Sequence, residues 1–185
     1  MIGFLLAGGQ SFRMGGTDKA IVEVGGFRLI DIAIDRLATQ VDEVRLVAQD
    51  ARDTGLTLVA DSADFQGPVA GIYGVVDHLR SHGFHDACFL TCPIDAPFFP
   101  ADLVQRLSHD TEACAHAADD AGTHPTFAYW HLSTLIKVRP SLPHAPSLKT
   151  LCHRADSLAV QWEGSDYFVN INTPVDLNEA RARSR

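Results

Sequence analysis

A glycine-rich loop near the start of the chain carries residue types that suit phosphate binding. Two glycine pairs, at 8–9 and 15–16, bracket Arg13, and Lys19 follows. Glycine lets the backbone approach a ligand closely, so the loop N–H groups can donate to phosphate oxygens. Arg13 and Lys19 add the positive charge that a triphosphate needs. The alternative is a solvated glycine turn. Because the loop has neither G-x-x-x-x-G-K-[ST] nor G-x-G-x-x-G, kinase and dehydrogenase sites lose support.

Two carboxylates follow predicted strand ends. Asp95 lies just past an apolar run at 87–91, between two prolines, and Asp61 follows the run 56–60. In open α/β sheets, ligands bind beyond the carboxyl ends of the strands. One fixed carboxylate together with phosphate oxygens suffices for Mg²⁺, so Asp95 is the candidate metal ligand. The alternatives are that Asp95 caps the next helix and that Asp61 forms an Asx turn.

Short apolar strands alternate with amphipathic helices along most of the chain. This order predicts a three-layer α/β fold with a mostly parallel sheet, because parallel neighbours need helical crossovers. After about residue 110, two antiparallel strands around a turn at 119–122 predict a mixed sheet, and 140–146 interrupts regular structure. With no linker or repeat in 185 residues, we expect one domain over 1–185. The predicted strands are 2–7, 44–48, 56–60, 87–91, 113–118 and 126–130, and the predicted helices are 28–41, 68–79 and 101–107.

Composition limits the class of protein. Fifteen Lys and Arg against 23 Asp and Glu give a net charge of −8, which disfavours nucleic acid as a partner. Hydrophobic residues make up 46% of the chain, as in soluble globular proteins, and no stretch is long and apolar enough to span a membrane. Four scattered cysteines suggest no disulfide scaffold. We therefore expect a cytoplasmic protein.

Four stretches of the chain together resemble the landmarks of one known family. The first is L-A-G-G-Q-S-F-R-M-G-G-T-D-K at 6–19, which includes the glycine loop. The others are G-P-V-A-G-I at 67–72, C-P-I-D-A-P at 92–97 and F-V-N-I-N-T-P-V-D-L at 168–177. In sequence and in order, they resemble the molybdenum cofactor guanylyltransferases. The loop alone is shared by many nucleotidyltransferases, whereas the L-A-G-G form and the N-x-N-T-P ending are more specific.

The resemblance implies a Rossmann-like nucleotidyltransferase fold with a mostly parallel, mixed central sheet. It also implies transfer of GMP from GTP to the phosphate of molybdenum-molybdopterin, giving the guanine dinucleotide cofactor and pyrophosphate, with Mg²⁺ as cofactor. Arg13, Lys19 and Asp95 would be the catalytic residues, with Asp95 also holding the metal. The residues implied to contact the nucleotide are Leu6, Ala7, Gly8, Gly9, Lys19, Asp61 and Asp95.

The acceptor side is less defined by the resemblance. Asn170 and Asn172 match the family's N-x-N, and His124 begins an H-P-T stretch that resembles one near the second substrate. These three residues are the candidate acceptor contacts. In place of an Asn that some members use for GTP, this chain has Val47, with Gln49 as a possible substitute. Proteins that handle molybdopterin or serve molybdoenzymes as chaperones are implied partners.

Two other functions stay open at this point. One is a related nucleotidyltransferase that makes the cytosine form of the cofactor or charges a sugar phosphate, although those relatives usually begin L-A-A-G. The other is a carrier that binds nucleotide or molybdopterin without catalysis. A carrier needs no carboxylate to organise a metal beside a triphosphate loop, so the joint presence of Arg13, Lys19 and Asp95 disfavours it.

Overall fold

The computed structural model describes residues 1–7, 13–14, 17–18, 22–49, 53–109 and 112–183. The strands are β1 (Ile2–Leu6), β2 (Arg13–Met14), β3 (Thr17–Asp18), β4 (Glu23–Val24), β5 (Phe27–Arg28), β6 (Glu43–Val47), β7 (Thr57–Val59), β8 (Cys88–Pro93), β9 (Ala115–Asp119), β10 (Gly122–His131) and β11 (Leu158–Gln161). The helices are α1 (Leu29–Ala38), α2 (Pro68–Ser81), α3 (Leu103–Leu107), α4 (Leu132–Val138), α5 (Leu148–Arg154) and α6 (Pro174–Arg183).

A seven-stranded sheet in the order β11-β9-β10-β8-β1-β6-β7 organises the molecule. Strand β1 pairs in parallel with β6 and β8, and β6 pairs in parallel with β7. Strand β10 runs antiparallel to both β8 and β9, and β11 is parallel to β9. The prediction of a mostly parallel sheet that becomes mixed after residue 110 is confirmed.

Helices cover both faces of the sheet, as the apolar pattern of β1 requires. Successive strand residues face opposite sides, so Leu5 packs with α1 and α3 while Phe4 packs with α2, α4 and α5. Both side chains are fully buried. This confirms the three-layer α/β arrangement and places β1 inside the sheet, with its carboxyl end between those of β6 and β8.

Helix α2 approaches the sheet very closely. Pro68 opens it, as the sequence predicts, and its inner face includes the fully buried Ile72, Tyr73 and Val76. A Cβ placed on Gly74 would lie well inside van der Waals contact of the Ala60 carbonyl oxygen. Glycine at this position therefore allows the helix to pack directly on the chain leaving β7.

The second half of the chain contains more regular structure than the sequence predicts. Helices α4 and α5 and strand β11 have no counterpart in the prediction, because seven-residue helices and a four-residue strand show too few periods to stand out. The Ser147 hydroxyl accepts a 3.0 Å bond from the Thr150 N–H and so caps α5. No helix among the described residues is both long and apolar enough to cross a membrane.

Candidate nucleotidyltransferase site

The carboxyl ends of the parallel strands form one continuous edge. Leu6, the last residue of β1, lies opposite Val47 of β6 on one side and Pro93 of β8 on the other. Hydrogen bonds continue past the strands, since the Ala7 N–H donates to the Val47 carbonyl at 2.9 Å and the Ile94 N–H to the Leu6 carbonyl at 3.3 Å. Residues that follow these strands are therefore neighbours along the edge.

Three side chains converge around Gly71 in α2. A Cβ on Gly71 would lie 3.4 Å from Asp61 Oδ1, 3.4 Å from Val47 Cγ1 and 3.6 Å from Leu6 Cδ2. Asp61 is exposed as a residue, yet burial of its carboxyl group raises its pKa. The structure thus brings together Leu6 and Asp61, both predicted to contact the nucleotide, and places Val47 beside them.

A charged network supports the chain just after Asp61. Arg139 donates to Asp77 Oδ1 at 2.5 Å and to Asp64 Oδ2 at 2.6 Å, and the Ser62 hydroxyl donates to Asp77 Oδ2 at 2.8 Å. Burial raises the pKa of Asp77, but the hydrogen bonds from Arg139 and Ser62 outweigh this and leave it lowered. The Ser62 N–H also donates to the Ala70 carbonyl at 2.9 Å, which fixes this segment on α2.

Asp95 lies two residues beyond β8, half-buried between buried neighbours. Its carbonyl accepts a 2.7 Å bond from the Ile171 N–H. The Ile171 side chain is buried beside Val24 and Leu29 and is flanked in sequence by the exposed Asn170 and Asn172. The structure therefore brings the N-x-N segment against Asp95 from more than 70 residues away in the sequence.

The start of α6 holds this segment in place. The Asp176 carboxylate accepts bonds of 2.8 Å from the N–H groups of both Asn172 and Thr173. The Thr173 hydroxyl in turn accepts a 3.2 Å bond from the Asp176 N–H. This reciprocal cap satisfies N–H groups at the helix start and anchors the chain directly after the two asparagines.

His124 lies near the start of β10, at the same edge. Because β10 is antiparallel to β8, with Ala128 opposite Thr91, its first residues lie near the carboxyl end of β8. The His124 ring stacks on Phe168, 4.8 Å between ring centres, and its Nε2 lies 2.8 Å from Asp119 Oδ1. This places His124 beside the segment that contains Asn170.

Several predicted residues fall outside the described parts of the chain. Gly8, Gly9 and Lys19 are not among the described residues. Arg13 lies in β2, which pairs antiparallel with β3, but its side chain is not described. Phosphate binding by the glycine loop therefore stays a prediction. Ala7 is buried directly after β1, and Gln49 is exposed two residues past β6.

The sequence analysis gives no individual role to three residues that the structure places in these contacts: Gly71, which lies in the G-P-V-A-G-I stretch, Asp119 and Arg139. Two glycines within a predicted helix were an available signal, because glycine is unfavourable there unless backbones or ligands approach closely. Asp119 falls in the predicted turn at 119–122, and the sequence predicts no role for it beyond that turn. Arg139 gave no signal, since its partners are 62 and 75 residues away in the sequence.

Comparison with known proteins identifies the family of the chain. Residues 3–158 match the MobA-like NTP transferase domain, and the chain belongs to that family. A protein of Rhodopseudomonas palustris strain HaA2, named molybdenum cofactor guanylyltransferase, is 39% identical over 189 aligned positions covering 95% of this chain and 88% of the relative. A protein of the same name from Yersinia pseudotuberculosis is 31% identical, covering 95% and 92%.

Solved structures share the fold. Molybdopterin-guanine dinucleotide biosynthesis protein A from Archaeoglobus fulgidus superposes with a TM-score of 0.73 at 20% identity, covering 100% of this chain and 98% of that one. The 2-C-methyl-D-erythritol 4-phosphate cytidylyltransferase from Thermus thermophilus gives 0.67 at 17% identity, covering 98% of each chain. The predicted Rossmann-like nucleotidyltransferase fold is confirmed.

Proposed function

We propose that this nucleotidyltransferase moves GMP from GTP to the phosphate of molybdenum-molybdopterin, forming the guanine dinucleotide cofactor and pyrophosphate. The relatives named molybdenum cofactor guanylyltransferase, which align over 95% of the chain, support this reaction. The structural observation that carries it is the row of Asp61, Leu6 and Asp95 along one sheet edge. Such an edge is where α/β proteins bind nucleotides.

The two ends of this edge suit the two substrates. The group around Gly71 offers a carboxylate and apolar side chains to the nucleoside half of GTP. Asn170 and Asn172 lie beside Asp95, where their amide NH₂ groups can donate to an acceptor phosphate. In this proposal, transfer at the α-phosphate takes place at Asp95, next to the acceptor.

The reaction depends on alignment and on neutralising charge. An oxygen of the acceptor phosphate attacks the α-phosphorus of GTP, and pyrophosphate leaves in line. Because a phosphate nucleophile is already ionised at neutral pH, no general base is needed. In this proposal Arg13 and Lys19 counter the charge that gathers on the α-phosphate and the leaving group.

Asp95 is the residue that would hold Mg²⁺. Among the described residues, no group of three or more His, Cys, Asp or Glu side chains is placed to form an all-protein metal site. Magnesium in nucleotide sites is commonly held by one or two carboxylates together with substrate phosphates, and a carboxylate at this edge fits that pattern. When bound, the ion neutralises charge on the phosphate oxygens.

The proposal also includes the substrates, the compartment and the partner proteins of the reaction. It makes GTP and molybdenum-molybdopterin the substrates, with the cytoplasm as the place where they meet. Delivery of the product to molybdoenzymes, through chaperone or molybdopterin-handling proteins, belongs to the same proposal.

Pyrophosphate release by the purified protein tests the proposal. The assay compares GTP, CTP, ATP and UTP with Mg²⁺, each with and without molybdenum-loaded molybdopterin. Release that requires both GTP and the acceptor is the expected result. Release with CTP alone would assign the cytidylyl reaction, and GTP binding without release from any nucleotide would indicate a carrier.

A further inference from the structure

A buried carboxylate organises the turn between β9 and β10. Asp119 Oδ1 accepts from the N–H groups of Ala121 and Gly122 at 2.9 and 3.2 Å and from His124 Nε2 at 2.8 Å. Its side chain is fully buried, and Oδ2 has no hydrogen-bond partner among the described residues. An unpartnered buried oxygen is costly. An uncharged acceptor would be enough to bind the two N–H groups of the turn. The third hydrogen bond, to His124, therefore distinguishes Asp119 from a residue that only forms a turn.

The ring that Asp119 holds covers one face of Phe168. The rings of His124 and Phe168 lie 29° from parallel, with centres 4.8 Å apart. Phe127 and Trp162 meet Phe168 at steeper angles of 56° and 80°. Phe168 is only 2% exposed, and removal of the His124 ring would open its stacked face.

An irregularity in β10 directs these rings toward each other. His124 pairs with Ala117, and Ala128 pairs with His116. The two partners in β9 are adjacent, whereas three residues separate His124 from Ala128 in β10, so β10 bulges between these two pairs. Pro125, directly after His124, has no N–H to give to a regular ladder. Bulges of this type re-aim side chains, and here both His124 and Phe127 reach Phe168.

Phe168 leads directly into the segment beside Asp95. Three residues later, the Ile171 N–H donates to the Asp95 carbonyl at 2.7 Å. The segment from Phe168 to Ile171 is thus fixed by an aromatic contact at one end and a backbone bond at the other. Asn170 lies between these two points.

We propose that His124 is a positioning residue, whose ring acts through Phe168 to hold the segment containing Asn170 against Asp95. The stacking of this ring on Phe168 transmits the effect, and the bond to Asp119 occupies its Nε2. In its consequence for catalysis, this inference rests on the proposed function. It differs from a direct acceptor contact through a ring nitrogen, because Nε2 is engaged by Asp119 and only Nδ1 would be left to bind the acceptor, from a side chain that is 19% exposed.

Two substitutions distinguish the effect of the aromatic ring of His124 from the effect of its Nε2 donor. His124→Phe keeps an aromatic ring and removes the donor, whereas His124→Gln keeps a donor near the Nε2 position and removes the ring. His153→Gln, at an exposed position on α5, is the matched control. The direct readout is hydrogen exchange of the Ile171 amide, with amides of β8 as an internal reference for global stability.

Exchange at Ile171 is expected to be about tenfold faster in His124→Gln and within about threefold of the wild type in His124→Phe and His153→Gln. Unchanged exchange in His124→Gln would overturn the proposal. So would faster exchange in His124→Phe while β8 stays protected. If His124→Phe does not fold, His124→Tyr supplies the ring instead and is judged by the same criteria.

Turnover gives the second readout. The kcat of His124→Gln is expected to fall by about tenfold or more while the KM for GTP stays within about twofold, since a misplaced site loses rate rather than nucleotide affinity. His124→Phe is expected to stay close to the wild type. Loss of turnover in His124→Phe with Ile171 still protected would assign the ring nitrogen to the acceptor and overturn the proposal. If the variants show the expected exchange but the wild type shows no GTP-dependent transfer, only the proposed function fails.

Discussion

The backbone amide of Ile171 donates a 2.7 Å hydrogen bond to the carbonyl of Asp95. This bond joins a segment near the end of the chain to the loop after β8, and so places Asn170 and Asn172 beside the candidate metal ligand. The bond uses backbone groups only. Substitutions of the Asp95 side chain therefore test its chemistry without removing the contact that shapes the loop.

Asp95→Asn should reduce turnover by about a hundredfold or more, because an amide lacks the charge needed to hold Mg²⁺ beside the phosphates. The backbone bond to Ile171 is kept, so the thermal unfolding midpoint should change little. Steady-state transfer assays and thermal unfolding check the two parts. Near-normal turnover in Asp95→Asn would remove Asp95 from the catalytic residues.

Lys19→Ala should lower kcat/KM for GTP by about tenfold to a hundredfold, because a charge-assisted bond to the triphosphate is lost. Lys149→Ala, at an exposed position on α5, is the matched control and should leave the kinetics unchanged. Equal kinetics in the two variants would show that Lys19 is only a solvated residue of the glycine loop.

Gly71→Ala should fold normally and raise the KM for GTP several-fold. Alanine is the better helix former, but the new methyl group would touch Asp61 Oδ1 and Val47 Cγ1 at 3.4 Å and so crowd the nucleotide end of the site. Titration with GTP and thermal unfolding measure the two effects. An unchanged KM would place the nucleotide away from Gly71.

Gly74→Ala, one turn further along the same helix, should instead destabilise the protein by about 1 to 3 kcal/mol. Its methyl group would overlap the Ala60 carbonyl oxygen, so α2 and the chain after β7 must move apart. Denaturant unfolding checks the loss. Full stability in this variant would contradict the close packing that positions Asp61.

Arg139→Met should destabilise the protein by about 1 to 3 kcal/mol at neutral pH, because Asp77 and Asp64 lose their hydrogen bonds while the apolar stem is kept. The pKa of Asp77 in the folded protein lies below its ordinary value of 3.8, so its pairing stabilises the fold fully above that pH. The stabilisation is lost as the pH falls through the folded pKa. The difference in the free energy of unfolding between Arg139→Met and the wild type should therefore shrink below about pH 4. A difference that stays constant with pH would argue against this ion pair.

The first half of the fold could be predicted because its pattern is local. Continuous apolar runs indicated strands buried on both faces, and Pro68 marked the start of α2 at the residue where the structure begins it. The apolar spacing predicts that α1 ends at 41, but the helix ends at Ala38, because a helix end depends on its last turn and not on apolar spacing.

The site could be predicted only in part. Asp61 and Asp95 follow strand ends, and parallel strands bring such ends to one edge, so their placement follows from the sequence. The contact of Ile171 with Asp95 and the pairing of Asp119 with His124 depend on tertiary folding. No local periodicity encodes them, although the segment that contacts Asp95 is the one that carries the N-x-N-T-P resemblance.

The measurement that tests the central claim most directly follows the two ends of GTP separately. GTP labelled at the α-phosphate or at the γ-phosphate is incubated with the wild-type protein, Mg²⁺ and molybdenum-loaded molybdopterin, and the products are separated. The account predicts that the α-label enters the dinucleotide cofactor and the γ-label leaves in pyrophosphate. Transfer of the γ-label to the acceptor, or no α-label in any product beyond hydrolysed nucleotide, would contradict it.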